Sequence, residues 1–313
     1  MDLISIVVPV YQNELNLHDT APKLISLSSR IPDCSIELVF VDDGSTDRSP
    51  QILSELAVKY PCQVTTVSMT RNFGQTPATS AGLQFARGVC AVIISADLQE
   101  PWEEIVTMVN HWRGGAKFVL GNRVSRGESA VHRCLSSIYW FIVRRWSMRS
   151  FPELGFDFCL LDRQVIEEAK KLSESNTSIF PLLYWLGYKP TLVPIHRSLR
   201  VAGRSQWNFV RKVALTLNVL FSFTYVPVVL VGILSGCTMG LAMLCASYLL
   251  ARCLFLAEFP SQSSILVQLA LVIGSFVMIS LSVICAYLWR VLDEVRGRPN
   301  FVVDEVRYAK LSD

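Results

Sequence analysis

Short apolar runs recur through the first two thirds of the chain. Each is followed by small polar residues and then by a stretch in which apolar positions return every three or four. The runs are ISIVVPV, IELVFVDD, QVTTVSMT, AVIISAD and KFVLGNR. Their β-branched content and near-continuous apolarity predict strands buried on both faces, as in a largely parallel sheet. Helical periodicity predicts helices over roughly Leu15–Arg30, Ser49–Lys59, Thr76–Ala86, Glu103–Arg113 and Ser129–Arg145. Strands alternate with helices, so the expected fold class is α/β.

The pattern changes near residue 210. Val226–Ala251 and Ile265–Trp289 carry no charge. Each is longer than the ~20 residues that cross a hydrocarbon core, so two spans are expected, joined as a hairpin by RCLFLAEFPSQSS. Arg211 and Lys212 precede the first stretch, Arg290, Arg296 and Arg298 follow the second, and the connection holds only Arg252. That bias predicts a multi-pass protein of the inner or plasma membrane, with both termini and the α/β domain cytoplasmic. WNFVRKVALTLNVLFSF reads either as an amphipathic helix on the membrane surface or as the start of the first span. The expected organisation is an α/β domain over 1–205, a juxtamembrane helix over 206–225, two spans within 226–290 (about 226–251 and 265–289) and a cytoplasmic tail over 291–313.

Composition narrows the classes. The chain has 313 residues, 51% of them hydrophobic, and a net charge of +3. So mild a charge gives no case for nucleic acid as a partner. The nine cysteines form no C-x-x-C and no zinc-type spacing, which predicts free thiols in a reducing compartment. Met1 leads straight into LISIVVPV, with no basic region or cleavage site, so no signal peptide is expected.

Polar residues gather where the strands end: Tyr11 to Glu14, Asp42–Asp43–Gly44–Ser45, Arg71–Asn72, Asp97–Gln99 and Asn122–Arg123. In open α/β sheets ligands bind at those ends. Neither G-x-G-x-x-G nor G-x-x-x-x-G-K-[ST] occurs, which disfavours a dinucleotide fold and a P-loop. What stands there instead is acidic. Asp97 and Gln99 offer hard oxygens, and Mg²⁺ or Mn²⁺ prefers oxygen, water and substrate phosphate to a closed protein cage. The plainer reading of Asp97 is a helix cap ahead of Pro101–Trp102–Glu103–Glu104.

Together VVPVYQNELNL, VDDGSTDRS, RNFGQTPATSAGL, ADLQEP, GNRVSR, FDFCLLDR and RVAGRSQWN, followed by two spans, resemble glycosyltransferase family 2. The closer resemblance is to its polyprenyl-phosphate glycosyltransferases, over essentially the whole chain. It implies a GT-A fold, a nucleotide-diphosphate sugar donor, a divalent metal, inversion at the sugar and a membrane polyprenyl phosphate as acceptor. It places Pro9, Tyr11 and Glu14 around base and ribose, and Asp42 and Asp43 at the nucleotide. Asp97 and Gln99 fall at metal and diphosphate, and Arg123 on phosphate. Asp157 lies in the segment facing the acceptor; its reading divides between orienting acceptor or sugar and a structural role. Arg200, Arg204 and Ser205 fall in the late loop at the lipid phosphate. UDP-glucose is the favoured donor; a homo-oligomer is left open.

Several positions depart from the family pattern. Ser95 stands where many members carry the first Asp of D-x-D, and is read as dispensable, with a water in the acid's place. Gln12 and Asn13 replace Asn and Glu, Phe156 and Cys159 replace Gly and Arg, and Gln206 replaces Lys. Two alternatives stand beside this reading. One is a processive polysaccharide synthase, whose Q-x-x-R-W has Ile142 in the Gln position here. The other is a non-catalytic nucleotide-sugar-binding membrane scaffold, suggested by Ser95.

Overall fold

The computed structural model describes residues 1–123, 152, 156–172, 178–196, 262–295 and 297–310, with scattered helical positions between 233 and 248. They belong to two units, Met1–Leu215 with Pro299–Asp313, and Thr216–Arg298.

In the first unit the chain runs β1 (Asp2–Val10), α1 (Leu17–Ile25), β2 (Cys34–Asp42), α2 (Ser49–Lys59), β3 (Val64–Met69), α3 (Gln75–Phe85) and β4 (Cys90–Ile93). It continues through α4 (Ile105–Arg113), β5 (Phe118–Arg123), β6 (Cys159–Asp162), α5 (Arg163–Ala169), α6 (Ile179–Trp185) and β7 (Thr191–Ile195). The strands form one sheet in the order β7-β5-β6-β4-β1-β2-β3-β8, where β8 is Val303–Arg307. Neighbours are parallel except at β4–β6, β5–β6 and β3–β8.

Alternation along the strands sends successive side chains to opposite faces. Ile4, Ile6, Val8 and Val10 of β1 join Leu38 and Phe40 of β2 in a core closed by Leu17 and Leu24 of α1, Ile52 and Leu56 of α2, and Met108 and Val109 of α4. On the other face α3 lies so close to the sheet that a Cβ on Gly82 would run into Val7. The expected α/β class with a mostly parallel sheet is what the structure has. α1 stops short of Arg30 and gives way to a 3₁₀ turn over Ser26–Ser29. There the hydroxyls of Ser26, Ser28 and Ser29 each donate to a carbonyl three residues back, a local bond that competes with the helix.

The topology opens a crevice. After β1, β2 and β3 step to one side; β4 then pairs on β1's other side, so the strand order reverses between β1 and β4. Ligands of open α/β sheets bind at such a switch point, beyond the strands' carboxyl ends. Pro9 sits there. Val7 accepts from Ile94 N at 3.1 Å, so residue 9 faces the same side, where β4 has already ended at Ile93. Its missing N–H therefore breaks no ladder bond.

The tail departs from expectation. Residues 303–307 join the sheet as β8, antiparallel to β3, pairing Val303 with Met69 and Arg307 with Thr66. Further on, Ala309 N donates to Thr65 Oγ1 at 3.1 Å and Lys310 N to Pro61 O at 2.7 Å. Below this strap lies a buried carboxylate, Glu37, fully excluded from solvent. It accepts from Ser5 Oγ (2.7 Å), Thr65 Oγ1 (3.1 Å), Arg87 Nε (2.8 Å) and Arg87 N (3.1 Å), and Arg87 Nη2 donates on to Ala309 O.

In the second unit α7 (Gln262–Val295) runs 34 residues and contains an 18-residue apolar window, Val272–Trp289, long enough to cross a membrane. Within the unit Ile273, Leu281, Ile284 and Leu288 are exposed. The expected span 265–289 lies inside this helix. Most of 226–251 and all of 206–225 lie outside the described residues, as does the helix expected over Ser129–Arg145; Ile233, Leu234, Met243, Leu244, Ser247 and Tyr248 are helical.

Candidate active site

Three loops at the carboxyl ends of β1, β2 and β3 are laced by their own polar side chains. Gln12 takes a left-handed backbone (φ 53°), and its N–H donates to Ser45 Oγ at 3.0 Å. Asn13 N donates to Ser49 Oγ (2.9 Å), Glu14 N to Asp47 Oδ2 (3.2 Å), and Arg48 N to Glu14 Oε2 (3.1 Å). Glu14 therefore ties the β1 loop to the start of α2, while Tyr11 N is fixed by Asn13 Oδ1 at 3.1 Å. These bonds satisfy backbone donors that the ends of strands and helices leave over.

The acidic pair divides its work. Both oxygens of Asp43 are taken by backbone, Phe73 N at 2.7 Å and Gly74 N at 2.8 Å, so this carboxylate braces the β3–α3 loop. Asp42 Oδ1 accepts from Ser45 N at 3.2 Å and closes the turn through Gly44. Gly44 has φ +65°, and a Cβ there would lie 2.5 Å from the carbonyl carbon of Arg71, so only glycine fits. Burial raises the pKa of both carboxyls against the hydrogen bonds that lower it. Arg71 lies over the Phe73 ring at 4.2 Å.

Asp97 stands on a tight turn beyond β4. Leu98 N donates to Ser95 O at 3.2 Å, Leu98 is left-handed (φ 46°), and Thr20 Oγ1 of α1 donates to Ala96 O at 2.8 Å. A left-handed leucine is uncommon and clusters with function. It folds the chain back, so Gln99 Nε2 donates to Asp97 Oδ2 at 2.9 Å, while Ser95 Oγ donates to Asp97 Oδ1 at 2.8 Å. Asp97 and Gln99 meet through this turn, not through the simple alternation of an extended strand. The helix-cap alternative finds no support at Asp97: α4 begins at Ile105, behind a 3₁₀ turn over Trp102–Glu104 that Pro101 precedes.

The sheet brings Asp157 to the same edge. Cys159 of β6 pairs with Ile93 of β4 and Leu120 of β5. Two residues beyond each pairing stand Asp157, Ser95 and Asn122. Phe156 and Phe158, buried on either side of Asp157, fix its backbone; Phe156 packs edge-on against Phe118 and Phe180. Arg123 closes β5 opposite Ile195. Arg200, Arg204 and Ser205 lie outside the described residues. Sequence reasoning missed Glu100, which is 1% exposed and hydrogen-bonded to Ser95 Oγ; only its place beside the ADLQ run hinted at a role.

For a divalent cation the donors are oxygen-only and hard: one carboxylate and the amide oxygen that Gln99 keeps while its nitrogen donates. They fit Mg²⁺ or Mn²⁺ held jointly with a diphosphate. Among the described residues no group of three or more His, Cys, Asp or Glu forms a cage.

The model of glycosyl transferase family 2 matches residues 5–169, more than half of the chain. The uncharacterized glycosyltransferase YkcC of Bacillus subtilis is 34% identical over 305 residues, covering 96% of this chain and 93% of its own. The SfII prophage-derived bactoprenol glucosyl transferase of Shigella flexneri is 31% identical over 302 residues (96% and 97%). An undecaprenyl-phosphate 4-deoxy-4-formamido-L-arabinose transferase of Shewanella sediminis is 28% identical over 311 residues (98% and 93%). Among solved structures, mannosyl-3-phosphoglycerate synthase of Rubrobacter xylanophilus shares the fold, with a TM-score of 0.50, 16% identity, and coverage of 70% of this chain and 72% of its own. The chain belongs to glycosyltransferase family 2, and its first unit has the GT-A fold.

Proposed function

We propose that the protein transfers a sugar from a nucleotide-diphosphate sugar, UDP-glucose by preference, to the phosphate of a membrane polyprenol such as undecaprenyl phosphate, with inversion, supplying a lipid-linked sugar for cell-envelope glycan. The observation that carries this is Asp97, its two oxygens gripped by Ser95 and Gln99 at the mouth of the β1/β4 crevice. Relatives matching nearly the full chain, named for bactoprenol and undecaprenyl phosphate, support the acceptor class.

In this reading a phosphate oxygen of the acceptor attacks the anomeric carbon as the carbon–oxygen bond to the diphosphate breaks, and that electron pair leaves with the nucleoside diphosphate. A phosphate monoester has a second pKa of about 6, so near neutral pH much of it is already dianionic and no base need remove a proton. Asp157 then orients acceptor or sugar. Asp97 and Gln99 would hold Mg²⁺ or Mn²⁺, which when bound supplies Lewis-acid stabilisation of the departing diphosphate. Arg123, Arg200 and Arg204, with Ser205, offset the repulsion between two anionic substrates. The loops of Pro9, Tyr11, Glu14, Asp42 and Asp43 wall the nucleotide.

The membrane reading is two spans, within 226–251 and 265–289, with catalytic domain and tail cytoplasmic. Its support is topological. β1 and β8 lie in one sheet, so a chain leaving that unit near 215 and rejoining it near 299 crosses a bilayer an even number of times. If α7 crosses once, a second crossing belongs to 216–261. A reporter inserted near Ser263 should read as outside and one after Asp313 as inside.

The decisive experiment is mass spectrometry of the lipid product after incubation with undecaprenyl phosphate and a panel of nucleotide sugars. A hexosyl phosphoprenol from UDP-glucose is expected, with the anomeric configuration opposite to the donor's by NMR. No lipid product with any donor overturns the reading.

A further inference from the structure

We propose that Glu100, acting through the Ser95 hydroxyl, is a positioning residue that holds the Asp97 carboxylate in the direction a divalent cation needs. The inference rests on Asp97 holding that cation. It reverses the expectation that Ser95 is dispensable.

Glu100 is 1% exposed. A carboxylate so buried is retained only where specific contacts offset its lost hydration. Its Oε2 meets Ser95 Oγ, and the same Oγ donates to Asp97 Oδ1 at 2.8 Å. Behind the turn, Thr20, itself 1% exposed, donates to Ala96 O and ties α1 to the backbone next to the serine that joins the two acids. Stabilising a helix start does not require this burial, because Glu103 and Glu104 already place charge in the first turn there.

Hydrogen counting gives the pair a function. A serine hydroxyl carries one hydrogen and can give it to one acceptor at a time. With no cation present, Asp97 Oδ1 and Glu100 Oε2 both lie within reach of that one hydrogen, which ties the two carboxylates to the same oxygen. When a cation draws on the Asp97 lone pairs, the same hydrogen can rotate to Glu100 Oε2 and stay satisfied. Without Glu100, the hydroxyl displaced by a cation has no second carboxylate to turn to; without Ser95, Asp97 Oδ1 loses this bond. Groups that hold a metal ligand in this way typically cost about 10–100-fold in metal affinity when removed.

The test is Mn²⁺ titration of the full chain in detergent, read by the EPR signal of free Mn²⁺, alone and with UDP. Ser95→Ala and Glu100→Ala should raise the half-saturating Mn²⁺ concentration about 10-fold or more. Ser95→Thr, which keeps the hydroxyl, and Glu100→Gln, which keeps an acceptor oxygen, should fall closer to the parent. Asp97→Asn serves as the reference for loss of the site. If Asp97→Asn and parent bind Mn²⁺ alike, the metal reading fails and this proposal with it. If Asp97→Asn loses binding while Ser95→Ala and Glu100→Ala titrate like the parent, the positioning role alone is overturned. A lowered melting temperature with parental Mn²⁺ half-saturation would mark a structural role and also overturn it. Should Glu100→Ala fail to fold, Ser95→Ala decides by the same criterion.

Discussion

The two ends of the same central strands handle carboxylates in opposite ways. Near their amino ends, Glu37 is fully excluded from solvent and receives hydrogen bonds from two hydroxyls, a backbone N–H and a guanidinium. At the carboxyl ends, Asp97 is half-buried, and Asp42 and Asp43 are buried on hydrogen bonds too few to stop burial raising their pKa. The first arrangement leaves no room for a ligand and fastens the tail. At Asp42 and Asp43 the second keeps charge under stress beside a crevice, which is where binding a cationic or polar ligand can relieve it. Stability and chemistry are thus separated along a single strand's length.

The largest effect should come from the crevice end. Asp97→Asn removes the carboxylate charge and should lower sugar transfer by at least ~100-fold, on the scale of lost charge stabilisation at a transition state. Its melting temperature should stay near the parent's. Parental transfer by this variant would return the turn to a purely structural part.

Next in size is the opposite end. Ending the chain after Arg298 removes β8 and the bonds of Ala309 and Lys310, exposing the β3 edge. Loss of cooperative thermal unfolding and aggregation are expected, read by static light scattering during a melt. A sharp, parental transition would show the strap to be ornamental.

Arg87→Ala should be milder. Removing one partner of a buried ion pair costs about 3–5 kcal/mol; with Arg87 31% exposed, the lower end is expected. A drop of several degrees in melting temperature, with Mn²⁺ binding unchanged, would sharpen the separation. Altered Mn²⁺ binding would blur it.

The smallest effect concerns Asp42. Burial raises its folded pKa above the ordinary 3.8, so the folded state binds its proton more readily than the unfolded state. Stability from this group is therefore lost as pH rises from about 3.8 through the raised value, and at neutral pH the charge costs stability. Asp42→Asn should raise the melting temperature by about a degree or two at pH 7, the gain shrinking towards pH 4. A gain that grows on acidification would reverse the sign argued here.

The sequence made the first five strands legible, because each is a β-branched run buried on both faces. β6 is only CLLD, β7 contains Pro194, and β8 is VDEVR, too short or too polar to stand out. β8 also pairs with a strand remote in sequence, which no local pattern carries. Strand-end polarity pointed to Asp42, Asp43 and Asp97, which stand at the carboxyl ends of β2 and β4. It could not show that Asp43 spends both oxygens on Phe73 and Gly74, or that Leu98 turns left-handed, since both depend on where the next loop lies. Glu100 was hidden because a Glu before a Pro looks like ordinary helix-start charge.

The docking of β8 also sets a schedule. Ala309 bonds to Thr65 across 244 residues of chain. At about 5–20 residues per second of synthesis, the β3 edge waits on the order of 10–50 s for its partner strand. Throughout that interval the nascent domain presents an open strand, and everything from 216 to 298 must be made before it closes. β8 is therefore the strand that certifies the sheet: a chain broken off anywhere in the apolar segment keeps its crevice residues but never covers its edge.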